Sequence, residues 1–429
     1  MHVDGETLHI GEESIDLRRL ERIAVVGAGK AGGAMAVAIE NVLGPKLLDE
    51  KRVSGWINVP ADCVVPTARI HLHPGRPAGV NEPRPEGVEG TGRILNLVES
   101  LGPADLCLCV IAGGGSALLP APVPEISLED KLRVTQLLSA AGANIEQLNT
   151  VRRELSLVKG GGLAAACRAG RLISLIISDV LGDPLDAIAS GPTLPSSTTA
   201  ADALAVLSDL RLINEPTIRA VTKYLRVKQR RPEAGPASAN DSTVERHQRS
   251  VTNLVLASNA TAVDASGVEA ERLGYSHAMI SGKSAEGPAD DAGRHLAEMA
   301  LRMRGNPGPD CLISGGEPTV KLAEPGKRGK GGRNQQLALA ALARLGDSRG
   351  IALLAGGTDG EDGPTDAAGA FVTEEVARTA RERQLEIQDF LERNDAYHFF
   401  QASGGLFVTG PTHTNVCDLR VIAVDRRER

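Results

Sequence analysis

Six apolar runs constrain this chain more than anything else in its sequence. They lie at 22–26, 106–112, 172–178, 251–258, 311–316 and 350–357, and most run into glycine and then a helix-like stretch. Apolar runs without strict alternation are those of strands covered on both faces, as in parallel sheets flanked by helices. Helical patterns at 32–43, 128–141, 200–210, 285–303, 334–345 and 374–384 fall between them. Strand-then-helix alternation of this kind predicts an α/β fold.

A chain of 429 residues exceeds one ordinary core, so at least two domains are expected. The stretch from 227 to 249, VKQRRPEAGPASANDSTVERHQR, is polar and without periodicity. It divides the chain into an N-terminal domain, 1–228, a connector, 229–249, and a C-terminal domain, 250–429. A net charge of −7 and the lack of a basic, aromatic stripe argue against nucleic acid as a partner. The uncharged run at 106–124 has membrane-span length, but its three glycines and three prolines make it a strand plus loop. The N-terminus has no basic-then-apolar signal peptide. Six scattered cysteines, none in a CxxC pair, read as free thiols of a reducing compartment. A cytoplasmic protein working on a small molecule is expected; self-association into a homo-oligomer is left open.

Two glycine-rich turns carry cations. VVGAGKAGGAM places Lys30 beside Gly29 ahead of a helix, and GKGGRNQQLALAAL places Lys330 and Arg333 at a helix start. A helix start bears about half a positive charge, so cations there are unfavourable unless an anion joins them. Gly27, Gly29 and Gly32 spell G-x-G-x-x-G, but the next strand, GWINVPAD, offers Asn58 where a dinucleotide-binding chain has its ribose-binding acid. In VIAGGGSALL, Gly113, Gly114, Gly115 and Ser116 form neither a Walker A loop nor a G-x-S-x-G elbow. Their N–H groups suit an anion nest, while close helix–sheet packing would need the same glycines. Lys159, ahead of three glycines, repeats the cation-at-helix-start pattern, or else serves the C-terminus of the preceding helix. Gly315 and Gly316 in LISGGEP again leave room at a strand end.

Carboxylates occupy the same edges. Asp179 follows an apolar run directly, and Asp183 and Asp186 lie in the loop beyond, where turn capping explains them. Glu317 ends another run, and Asp359, Glu361, Asp362 and Asp366 crowd one glycine loop. Asp179 and Glu317 are candidate magnesium ligands, since Mg²⁺ takes one or two carboxylates plus phosphate oxygens and water. The four acids of the glycine loop are a candidate base or magnesium site, with Asp359 nearest the sheet. Cations at glycine turns, acids at strand ends and no hydrolytic triad together point to phosphoryl transfer.

These blocks resemble the glycerate 2-kinases of the two-domain type, whose C-terminal part is called the MOFRL domain. The likeness rests on VVGAGKAGGAM, IAGGGSALL with ISLEDK, LNTVRRELSLVKGGGLA, IISDVLGDPLDAIASGPT, ISGGEPTV, GKGGRNQQLAL, GTDGEDGPTDAAGA and TGPTHTNVCDL, in family order. It implies ATP-dependent phosphorylation of D-glycerate at its 2-hydroxyl with a divalent cation, Mg²⁺. It also implies a Rossmann-like N-terminal domain with a mostly parallel sheet and a smaller α/β domain carrying the MOFRL-type segment, about 310–424. The active cleft is expected between them. Lys30 and Arg333 match positions that act on phosphates or on the substrate carboxylate. Gly29, residues 113–116, Lys159, Gly315 and Gly316 would hold the nucleotide, and Asp359 would orient or deprotonate the hydroxyl. Two departures stand out: GRPAGVNEPRP follows His73-Pro74, and His413 replaces a glycine. The competing expectation is an NAD(P)-dependent reductase of hydroxypyruvate or tartronate semialdehyde, which the missing ribose-binding acid disfavours; a non-catalytic sensor of sugar acids is a third.

Overall fold

The computed structural model describes residues 1–230, 250–347 and 349–425; most of the expected connector lies outside them. The chain divides into two compact units, one of Met1–Ile177 and Pro184–Leu256, the other of Ser178–Asp183 and the chain from Ala257 onward. The division departs from the expected boundaries because one strand and one loop sit in units other than their position along the chain suggests.

In the first unit, β1 (His2–Asp4), β2 (Thr7–Ile10) and β3 (Glu13–Asp16) form a small antiparallel sheet. The main sheet comprises β4 (Arg22–Ala28), β5 (Ser54–Pro60), β6 (Ile70–Arg76), β7 (Asp105–Ile111), β8 (Arg171–Ile177) and β9 (Ser250–Ala257). Its order is β6-β5-β4-β7-β8-β9, with parallel pairing from β6 through β8. All seven residues of β7 are buried, as the unbroken apolar run requires. Around these strands run α1 (Gly32–Glu50), α2 (Pro85–Glu99), α3 (Gly115–Leu118), α4 (Leu128–Ala140), α5 (Ile145–Glu154), α6 (Gly162–Ala166), α7 (Ala200–Asp209) and α8 (Arg219–Arg230). The helical pattern expected at 32–43 ends where α1 breaks, at Gly44 (φ 69°) before Pro45. Side chains of α4, α5, α7 and α8, including Val134, Leu138, Val151, Leu207 and Leu225, build a separate helical core.

The second unit contains β10 (His277–Ile280), β11 (Cys311–Gly316), β12 (Ile351–Gly357), β13 (Gly369–Val372), β14 (Leu406–Phe407) and β15 (Asp418–Val424). Their order is β10-β11-β15-β12-β13-β14; only β10–β11 is parallel. The central strand β15 alternates buried and half-buried residues, the period-two pattern of an antiparallel strand. Helices α9 (Asn259–Arg272), α10 (Ala289–Gly305), α11 (Arg333–Leu345), α12 (Glu374–Glu382), α13 (Ile387–Glu392) and α14 (Ala396–Ser403) complete the unit. Leucines and alanines of α11 pack with α10 and β12 in its core. No helix among the described residues is long and apolar enough to cross a membrane.

One buried charge ties this second sheet to its loops. Arg420 of β15 is 1% exposed, and its guanidinium donates to both Glu286 oxygens, each at 2.7 Å. Its Nη1 also donates to the Gly315 carbonyl. Removing one partner of such a pair leaves a charge out of water with nothing to compensate it. Glu286→Gln should therefore cost about 2–4 kcal/mol in urea unfolding, with Arg420→Met in the same chain recovering most of it. An unchanged midpoint in the single variant would show that the pair contributes little.

Candidate functional site

The first unit gathers its sequence candidates at the ends of β4 and β7. Gly27 and Gly29 adopt φ +144°, and a Cβ on Gly27 would lie 1.8 Å from the Val110 carbonyl oxygen. A Cβ on Gly29 would lie 2.6 Å from that of Ala112. The glycines are thus required by the approach of the two strand ends, the packing explanation of the motif. That approach brings the turns together: the Lys30 N–H donates to Gly113 O at 2.9 Å. Gly114 takes φ +79° and leads Gly115 and Ser116 into α3.

Lys159 reaches the same loop from the α5–α6 connection. Its Nζ donates to Ser116 Oγ (2.6 Å) and Ser116 O (3.1 Å), and lies 3.4 Å from Ser190 Oγ. Ser190 in turn donates to Asn149 Oδ1 and stands 3.3 Å from Ser116 Oγ. Ser190 holds this place at φ +62°, in the left-handed region that a serine rarely adopts. Burial pushes the Lys159 ammonium well below the usual lysine range, and the nearby Lys131, Arg152 and Arg153 push it further. Arg76, buried at the end of β6, lies beside the loop; a Cβ on Gly114 would be 2.9 Å from its Nη2. Arg76, Ser190 and Asn149 were not among the sequence candidates, although Ser190 lies inside the quoted DAIASGPT block. Arg76 ends IHLHPGR, whose two histidines keep it out of the apolar runs, so that pattern did not mark it.

The second unit gathers the carboxylates around Arg333. Its Nε and Nη2 donate to Asp418 Oδ2 and Oδ1 at 2.7 and 3.0 Å, and its Nη1 to Glu317 Oε1 at 2.8 Å. Asp418 is fully buried, so this bidentate pair is the sheet's anchor for the guanidinium. Burial works against the Arg333 charge, but Asp418 and Glu317 outweigh it and raise its proton affinity. The Glu317 carboxyl is pushed up, first by burial and then by Asp418 and Asp179, although Arg333 pulls the other way. Asp179 is held in this unit by its carbonyl, which accepts from Cys417 Sγ at 3.2 Å. Asp359 Oδ1 accepts from the Glu361 N–H. A Cβ on Gly357 would lie 3.0 Å from Asp359 Oδ1 and 3.7 Å from Asp418 Oδ1, so those two carboxylates converge. Asp418, absent from the sequence candidates, stands at the start of β15 inside the quoted NVCDL block.

The cations of the GKGGRNQQ turn have local partners. Asp362, buried under α11, accepts from the Asn334 N–H (3.0 Å) and the Gln335 N–H (2.8 Å), supplying the acid a helix start calls for. Lys330 lies 4.0 Å over the Tyr397 ring, whose hydroxyl donates to Asp366. Gly315 and Gly316 are tightly filled: a Cβ would meet Asn259 Oδ1 at 1.6 Å and Glu286 Oε2 at 2.0 Å respectively. In the loop after β8, Asp186 pairs with Arg153. Asn58, at the place of the missing ribose-binding acid, spends its amide on the Gly87 and Leu118 carbonyls. All six cysteines are free and buried.

Residues 1–226 match a domain of unknown function, DUF4147, and residues 310–418 match the MOFRL family. A glycerate kinase of Bos taurus is 37% identical over 97% of this chain and 86% of its own length. A putative hydroxypyruvate reductase of Agrobacterium vitis is 37% identical over 94% of this chain and 99% of its own length. The crystal structure of a Thermotoga maritima glycerate kinase superposes with a TM-score of 0.79 at 33% identity, covering 95% of this chain and 92% of that one. The chain belongs to the glycerate-kinase-like family that joins an N-terminal DUF4147 domain to a C-terminal MOFRL domain.

Asp362 also makes the fold sensitive to pH. Burial raises its carboxyl to about 7, with Asp418 adding to the rise and the two backbone N–H groups and Arg333 opposing it. Between about pH 4 and pH 7 the unfolded chain ionises this group while the folded chain resists, so its contribution to stability falls as pH rises. Relative to Asp362→Asn, the wild type should lose about 2–4 kcal/mol across that window, measured by urea unfolding at several pH values. A constant difference between the two proteins would contradict the assignment.

Proposed function

We propose that this chain is an ATP-dependent kinase that phosphorylates D-glycerate at the 2-hydroxyl to give 2-phosphoglycerate. The observation that carries the reading is the 37% identity to the Bos taurus glycerate kinase across 97% of the chain. The geometry supports it from two sides: a glycine loop attended by Arg76 and Lys159, and a carboxylate cluster centred on Arg333.

In this reading the 113–116 loop, with Lys30 and Lys159, binds the nucleotide phosphates. Arg333 balances negative charge that builds on the transferring group, held in its orientation by Asp418. Asp359 accepts the proton of the 2-hydroxyl. The hydroxyl oxygen forms a bond to the γ-phosphorus, and the bond from that phosphorus to the β–γ bridging oxygen breaks, its electron pair leaving with ADP. Asp179 and Glu317 fit a divalent cation, because Asp418 and Asp179 both act on a half-buried Glu317 carboxyl that already pairs with Arg333. Mg²⁺ bound there would neutralise charge on the phosphate oxygens. Six buried thiols accord with a reducing, cytoplasmic setting.

A reductase reading draws on the name of the Agrobacterium vitis relative. The engaged Asn58 amide and the packing need for Gly27 and Gly29 weigh against it, because neither leaves the dinucleotide fingerprint a task of its own.

Purified protein given D-glycerate, ATP and Mg²⁺ should release ADP, with phosphorus NMR of the product distinguishing the 2-phosphate from the 3-phosphate. NAD(P)H consumption with hydroxypyruvate and no ADP release would replace this reading by the reductase. Asp359→Asn should lower kcat by about 10²–10⁴-fold with a near-normal KM for ATP and an unchanged unfolding midpoint. Near-normal turnover in that variant would remove Asp359 from the role of base.

A further inference from the structure

Two serine hydroxyls of the first unit have no task in the kinase chemistry, and a buried lysine touches both. Strand β7 runs into the 113–115 glycines and delivers Ser116 at a strand-to-helix turn. Serine hydrolases present their nucleophile from such a turn, there with the G-x-S-x-G sequence that this chain lacks. Ser116 is half-buried, whereas Lys159 is 6% exposed. Lys159 Nζ stands 2.6 Å from Ser116 Oγ, 3.1 Å from Ser116 O and 3.4 Å from Ser190 Oγ. It pairs with no carboxylate of a described residue.

The hydrogen-bond count gives this cluster a direction. Ser190 spends its own proton on Asn149 Oδ1 at 3.1 Å, so its oxygen serves Lys159 and Ser116 as an acceptor. A charged Lys159 would donate along all three contacts, but as a buried cation without a counter-ion, which is costly. A neutral amine has two N–H groups, which suit Ser116 O and Ser190 Oγ, and one lone pair. That lone pair falls to the shortest contact, where the Ser116 hydroxyl donates to it. Burial favours the same neutral form, and so do Lys131 of α4 and Arg152 and Arg153 of α5, the last of them neutralised by Asp186. A hydroxyl donating to a neutral lysine is the arrangement of serine nucleophiles that use lysine as their base. Arg76, buried beside Gly114, adds positive charge where an oxyanion would form.

We propose that Ser116 and Lys159 form a nucleophile–base pair that cleaves small carboxylic esters through an acyl-serine intermediate. The Ser116 proton passes to Lys159 Nζ as Oγ bonds to the carbonyl carbon. The bond from that carbon to the leaving oxygen breaks, and Lys159 gives the proton to the departing alcohol. Water then attacks the acyl carbon while Lys159 takes its proton. The Oγ–carbon bond breaks, and Ser116 recovers a proton from Lys159. The kinase reading, in which the same loop binds phosphates, neither supplies nor requires these steps.

The test uses the full chain without nucleotide, as wild type, Ser116→Ala, Lys159→Met and Lys159→Arg. Each is treated with a fluorophosphonate probe and, separately, with p-nitrophenyl acetate. Mass spectrometry should place the phosphonyl adduct of the wild type on Ser116, and ester hydrolysis should fall about 10²-fold or more in Ser116→Ala. Lys159→Met should slow labelling by a similar factor. Lys159→Arg keeps donors and charge but cannot take up a proton, so it should be as slow. The wild-type rate should rise with pH and level off below about 10.4, where an ordinary lysine is half-deprotonated. That profile needs no variant to fold, and a rate still climbing tenfold per pH unit at about pH 11 overturns the base role. An unlabelled Ser116, or a Lys159→Arg chain as fast as the wild type, overturns the proposal. ADP release from D-glycerate and ATP with an inert Ser116 would leave the kinase standing and remove the esterase. A labelled Ser116 with the expected pH profile, in a chain that forms no ADP, would do the reverse.

Discussion

Charge of one sign, gathered out of water beyond what its neighbours neutralise, is the condition on which both candidate centres depend. In the first unit it is positive: Lys131, Arg152 and Lys159 lie within electrostatic reach of one another, and desolvation already suppresses the two lysine charges. In the second it is negative: Glu317 and Asp418 pair with one guanidinium, Asp179 acts on Glu317, and Glu317 is pushed toward its protonated form. Folding tolerates such arrangements at a cost, and perturbed charges of this kind gather at functional sites. The net charge of −7 conceals this separation, since bulk composition averages what the fold keeps apart.

Much of the architecture was legible because the apolar runs are long and the caps explicit. β7 and β8 read directly from LCLCVIA and LISLIIS, and α4 and α7 begin at Ser127 and Thr199, each with an acid three residues on that closes a capping box. The antiparallel character of the second sheet was harder to see. β15, its central strand, is an alternating stretch near the end of the chain, and its pairing with both β11 and β12 is non-local. Pairing over such distances leaves no mark in local periodicity.

The candidate site was readable by residue type and less so by partner. Ser116 and Lys159, forty-three residues apart, were each singled out alone, and their contact is a product of the β7 and α5–α6 ends meeting. Arg333 was singled out for a different reason from the one the structure gives. The helix start it occupies is served by Asp362, which caps two N–H groups, while the guanidinium turns to Asp418. Sequence showed a cation at a positive helix end and could not show the carboxylate brought from the next loop. Asp418 itself escaped notice because one acid at a strand start is an ordinary feature until its burial is known.

The chain does not fill its two units one after the other. Ser178–Asp183 leaves the first unit for the second and returns, and β9 closes the first sheet after the long polar stretch has passed. Severing the polypeptide anywhere in 231–249 would therefore strand Asp179 on one fragment and its Cys417 partner on the other, and would detach β9 from β8.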